Sequence, residues 1–148
     1  MLLVALVCLG LLVLTTVIHY EVLRGLSDAL PRLAIPPRAK LIVVIVAAFL
    51  AHGVEILLYA AAIWGLVRFP ALGTLGDSTR FGFDISLYFS AETFTSLGYG
   101  DVVPGGDLRL LAGAEALNGL LLIGWSASYA YIAMERFWNG GPAAGPEH

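Results

Sequence analysis

Three stretches of this chain are nearly free of charge over lengths that match the hydrocarbon core of a bilayer: residues 1–18, 41–67 and 110–134. A helix needs about 20 apolar residues to cross that core. The first stretch is uncharged, His52 and Glu55 alone interrupt the second, and the third carries Glu115 and Asn118. A soluble core built from 148 residues could not hide so much apolar surface, because a small domain keeps a large surface for its volume. Composition agrees: 59% of the residues are hydrophobic and 13% charged, where a soluble domain has about a quarter charged. The chain reads as an all-α integral membrane protein. A net charge of −3 lacks the basic footprint of a nucleic-acid binder. The single cysteine, Cys8, lies inside an apolar run and offers neither a disulfide framework nor a cysteine metal site.

Residues 1–19 are expected to form an uncleaved transmembrane helix, because no basic segment precedes the apolar run and no small-x-small cleavage site follows it. Residues 20–40 are expected to form a cytoplasmic interfacial linker. There Val22, Leu23, Leu26, Leu30 and Leu33 recur at helical spacing, Pro31 should end or kink the helix, and Pro36-Pro37 should impose an extended turn. Residues 41–67 form the second span, and 68–83, with Pro70, Gly73, Gly76 and Gly82, read as a loop. The apolar piece 85–95 is too short to cross and reads as a re-entrant or core helix. Asp84 is its expected N-cap, with Phe83 and Tyr88 placed for a hydrophobic staple. Four basic residues, Arg24, Arg32, Arg38 and Lys40, put the 20–40 linker inside, together with the C-terminus, and leave the N-terminus outside. The cell membrane is the expected location. Residues 139–148, rich in Gly, Pro and Ala, read as a disordered tail.

Directly after the short helix comes Thr95-Ser96-Leu97-Gly98-Tyr99-Gly100-Asp101. Gly98 and Gly100 can take positive φ without steric penalty, so flanking carbonyls can point to one side of an otherwise strained strand. Irregular backbone at membrane depth is tolerated only where protein buries it or where it lines a watery path. Inward carbonyls and the Ser96 hydroxyl would give hard oxygen ligands for a dehydrated monovalent cation.

From Glu92 to Asp101, with Pro104 beyond, the chain resembles the pore domain of potassium channels: outer helix, pore helix, Gly-Tyr-Gly-Asp selectivity filter and inner helix. The resemblance covers residues 41–136. It implies an outer helix at 41–67, a pore helix at 84–95, a filter at 96–101 and an inner helix at 108–136, within a pore domain of 41–138. The helix at 1–19 is then an addition to it. It further implies a homotetramer, because one strand cannot encircle an ion and carbonyls from four chains can replace its hydration shell. In that family pattern K+ is held by Ser96, Leu97, Gly98 and Tyr99, with Gly100 completing the strand. Glu92 would share a proton with Asp101 behind the filter. Tyr88 and Phe89 would form an aromatic cuff around Tyr99, and Thr95 would end the pore helix with its negative pole toward the cavity. Ser96 and Leu97 stand where threonine and valine are commoner, which keeps a weakly selective monovalent cation channel as a second reading. A non-conducting scaffold or sensor with a pore-like fold is a third.

The remaining intramembrane polar groups allow two readings each. Glu115, Asn118 and Ser126 share a stripe of the third span that either faces the ion cavity or bonds neighbouring helices. The resemblance puts Gly119, with Gly113 and Gly124 as competitors, near the family's gating hinge, and the other reading of these small residues is close packing. His52 and Glu55, at i and i+3, form either a pH-sensitive contact with span one or the inner helix, or a self-satisfied packing pair. Glu115, Asn118 and Ser126 are the partners considered for it. His19 and Tyr20 read as interface residues, Trp64 and Trp138 as belt aromatics, and Trp125 as mid-span packing. No arginine ladder, phosphate loop, metal cluster or nucleophile–base pair emerges, so no enzyme is expected, and no cofactor beyond K+ as permeant ion.

Overall fold

A computed structural model describes residues 1–76 and 82–138. The expected tail at 139–148 and the stretch 77–81 of the 68–83 loop lie outside the described residues. Four α-helices follow in order: α1 (Leu2–Ala29), α2 (Pro37–Leu66), α3 (Phe83–Phe94) and α4 (Leu108–Trp138). A 3-10 turn, Leu30–Arg32, joins the first two. Three of the helices, α1, α2 and α4, are long and apolar enough to cross a membrane, and no strand occurs among the described residues.

The first span and the helical start of the 20–40 linker form one continuous helix, because nothing at residues 19–20 removes a backbone donor, and α1 runs on to Ala29. Pro31, inside the 3-10 turn, is where the helix gives way. Pro36 is extended (φ −54°, ψ 145°), and Pro37 opens α2 in the first turn, where its missing N–H leaves no bond unmade.

Helix α1 packs against both α2 and α4, and α3 packs between α2 and α4. The interior is layered. One apolar cluster surrounds α3 and contains Val4, Cys8, Tyr59, Ile63, Phe89, Phe94, Leu111 and Leu122. A second, at the far ends of α1 and α2, contains Leu23, Leu26, Leu30, Val44 and Ala133. Buried Thr15, His19, Glu55, Asn118 and Ser126 form a polar layer that links the spanning helices between these clusters. On the α3 side, the segment after α2 closes on the segment that follows residue 101. Gly76 donates its N–H to the Val103 carbonyl (2.9 Å) and Gly105 to that of Thr74 (2.8 Å).

Asp84 does not cap α3. The N-cap is Gly82, no side chain bonds the first turn, and Asp84 sits one residue inside the helix as its first acidic group, favourable toward the dipole. Phe83 packs edge-on against Trp64 (ring centroids 5.9 Å apart), so its apolar contact is to α2 rather than to Tyr88. Trp64 also lies beneath the Arg68 guanidinium at 3.6 Å, a cation–π contact at the end of the span.

Candidate ion pathway

Helix α3 ends at Phe94, and the chain then enters an irregular strand. Ser96, Gly98 and Gly100 have φ of 58°, 56° and 79°, while Leu97 and Tyr99 between them stay at negative φ. Such alternation of hand lets successive peptide carbonyls turn the same way, where regular strand geometry would alternate them. Ser96 is the one non-glycine residue at positive φ among those described. Its left-handed backbone was not foreseen, and a short polar side chain bears that conformation better than a β-branched one.

Glu92 holds this strand from behind. Its carbonyl accepts from Leu97 N–H (2.8 Å) and Gly98 N–H (3.3 Å), and its Oε2 accepts from Tyr99 N–H (3.1 Å). One residue thus anchors three successive amides. The expected Glu92–Asp101 pair does not form, because Glu92 is committed to the Tyr99 amide and Asp101 to a different partner. The Tyr88 hydroxyl donates to both Asp101 oxygens, at 3.2 and 3.1 Å. Desolvation, and then the Asp101 carboxylate, push the Tyr88 phenol above its ordinary pKa, so it remains a donor through neutral pH. Phe89 is buried in the chain's own core and not turned outward as half of a cuff. The Thr95 hydroxyl donates back to the Ala91 carbonyl (2.8 Å), which keeps it on the last turn of α3. Leu97 and Tyr99, by contrast, are 57% and 69% exposed on the single chain.

The α4 stripe is committed to neighbouring helices rather than to a cavity. Glu115 is fully buried and bonded by the Ser90 hydroxyl of α3. Asn118 donates to Thr15 Oγ1 (2.7 Å) and to the Tyr59 hydroxyl (3.1 Å). The cavity reading of these two side chains therefore fails: in a lipid-bathed fold their partners are the polar groups of α1, α2 and α3. Gly119 lies where the Phe94 carbonyl crosses α4, and a Cβ there would stand 2.0 Å from that oxygen.

His52 and Glu55 are bonded (Nδ1 to Oε2, 2.8 Å). Sequence reasoning missed their third member. His19 is fully buried, not interfacial, and its Nδ1 lies 2.9 Å from Glu55 Oε1. Trp125 packs against His19 and Tyr20, at 5.4 and 6.4 Å between ring centroids.

A family described as "Ion channel" matches residues 41–136, about two-thirds of the chain. No curated protein and no solved structure gives a significant match. The matched residues hold most of α2, all of α3 and the irregular segment after it, and nearly all of α4. The chain therefore belongs to the ion-channel family of potassium-channel-like pores.

Proposed function

We propose that four copies of this chain assemble around the 96–101 strand and conduct K+ passively across the cell membrane. The observation that carries this reading is the alternation of hand at Ser96, Gly98 and Gly100, directly after a short helix set between two spanning ones. Carbonyls of Ser96, Leu97, Gly98 and Tyr99, with the Ser96 hydroxyl, replace the ion's water, and four strands complete each ring of ligands. Exposure of Leu97 and Tyr99 supports the assembly, since large apolar side chains beside a pore strand need a neighbouring subunit to cover them. Glu92 fixes the strand through three amides, and Tyr88 with Asp101 braces its outer end. The end of α3 carries partial negative charge toward the cavity and favours a cation there.

Purified protein in liposomes, loaded with K+ against Na+, tests the proposal. Flux of K+ well above Na+ is expected. Equal flux of both ions would replace K+ selectivity with a general cation pathway, and no flux of either from a folded tetramer would leave only the scaffold reading.

A further inference from the structure

Beside the end of α3, four polar side chains from the three spanning helices form a closed circuit. Glu55 Oε1 meets His19 Nδ1 at 2.9 Å, and Oε2 meets His52 Nδ1 at 2.8 Å. Both Nε2 atoms then converge on Ser126 Oγ, each at 3.1 Å. The two imidazoles are stacked, 5.1 Å apart and 25° from parallel. Phe94 of α3 packs on His52 and Trp125 of α4 on His19, and neither titrates. Helix α1 contributes His19 to the cluster, and α2 contributes His52 and Glu55. Glu115 is eleven residues along α4 from Ser126, a rise of about 16 Å. The titrating groups here are thus His19, His52 and Glu55.

Four contacts require four hydrogens. With Glu55 ionised and both imidazoles neutral, the circuit owns three: one on each ring and one on the hydroxyl. If both Nδ1–H groups donate to Glu55, both Nε2 atoms turn lone pairs to Ser126, which can donate to only one of them. Any other tautomer moves the mismatch without removing it. A fourth hydrogen closes the circuit in one continuous direction, with every donor and acceptor used.

We infer that His19, His52, Glu55 and Ser126 form a binding site for a single proton that ties α1 and α2 to α4. The added proton cancels the Glu55 charge, so the closed circuit is neutral, as a site among lipid-bathed helices should be. A divalent metal would leave a net positive charge, and the observed separations are those of N–H···O bonds. Loss of the proton breaks one contact. A second added proton would leave Ser126 accepting from both rings with its own hydrogen turned out of the circuit, and would give the cluster the same net positive charge as a divalent metal, which lipid-bathed helices disfavour. His52, whose side chain is 17% exposed, is the member through which the proton can exchange.

Glu55→Gln separates this site from an ordinary buried ion pair. The amide brings the fourth hydrogen covalently: its oxygen accepts from one Nδ1–H and its N–H2 donates to the other Nδ1. The circuit then closes with two neutral imidazoles of opposite tautomer. The experiment is imidazole 15N NMR of the full chain carrying His148→Gln, so that His19 and His52 alone report, between about pH 5 and 9, around the histidine range. In the background chain both rings should shift together with one midpoint, the ratio of loaded to unloaded site changing tenfold per pH unit, as for one proton. Glu55→Gln should fold and lose that step. Should it fail to fold, Ser126→Ala provides the second reading, because without the hydroxyl Glu55 accepts from two neutral rings and the rings should titrate separately. Separate midpoints in the background chain, or a shared step surviving in Glu55→Gln or in Ser126→Ala, would overturn the inference. So would stoichiometric binding of added Zn2+ that is required for the two rings to remain stacked.

Discussion

Gly119→Ala distinguishes a packing glycine from a hinge. The added Cβ would lie 2.0 Å from the Phe94 carbonyl oxygen, 2.8 Å from its carbon and 3.0 Å from the Phe94 ring. Ordinary contact begins near 3.4 Å, so α3 and α4 must part by more than an ångström. The obstacle is backbone at the end of a helix, not a side chain that can swing aside. Overpacking of this kind costs about 1–3 kcal/mol, offset by about 1 kcal/mol from the better helix propensity of alanine. A net loss of about 1–2 kcal/mol is expected, taking the larger half of the overpacking range because backbone must move. Gly124→Ala, whose new Cβ meets nothing within 4 Å in the chain, is the control. Denaturant titration in mild detergent, followed by helical circular dichroism, measures both. If Gly119→Ala were as stable as the parent chain, the close approach of Phe94 to α4 would be refuted, and a hinge with free space around it would regain support.

Gly98→Ala should abolish K+ flux in liposomes while the protein still assembles, since its φ of 56° costs a side-chain-bearing residue about 1–2 kcal/mol and its Cβ meets nothing within 4 Å. Glu92→Ala removes the acceptor of the Tyr99 amide; a loss of about 1.5–3 kcal/mol in strand anchoring is expected, seen as shortened open times in single-channel records with an intact tetramer. Tyr88→Phe should act in the same direction but more weakly, because it frees the already exposed Asp101. A cysteine at Ser27, in a Cys8→Ala background, should react with an impermeant thiol reagent only from the cytoplasmic side; labelling from outside would reverse the orientation inferred from Arg24, Arg32, Arg38 and Lys40.

Length and periodicity sufficed for the spans and for the short helix between them, since both follow from the thickness of a bilayer and the rise of a helix. Gly98 and Gly100 announced their backbone because only glycine is free of a penalty there. Ser96 gave no such signal, as serine is at home in many conformations. The partners of Glu92 and Asp101 were misassigned for a related reason: spacing places two carboxylates near one strand but does not say which amide or phenol reaches each first. His19 was hidden by an arithmetic coincidence. It falls just past an 18-residue apolar run, where a bilayer boundary is expected, yet α1 continues ten residues beyond it. Its bonds span 36 and 107 residues of sequence, and no local pattern encodes contacts of that range. Asn118 and Glu115 show the same ambiguity, because a polar stripe is written identically whether it meets water or another helix.

Order of synthesis gives the polar layer a second meaning. Helix α1 leaves the ribosome with Thr15 and His19 exposed on a surface otherwise suited to lipid, and Glu55 reaches it as soon as α2 follows. Asn118 and Ser126 arrive only with the last helix, so the Thr15 and His19 Nε2 contacts to α4 stay open throughout insertion. The first two helices can therefore wait in the bilayer as a hairpin held by the His19–Glu55 bond and by the packing of Leu23, Leu26 and Leu30 on Val44. Until α4 follows, that hairpin carries Thr15 and one edge of His19 without their α4 partners.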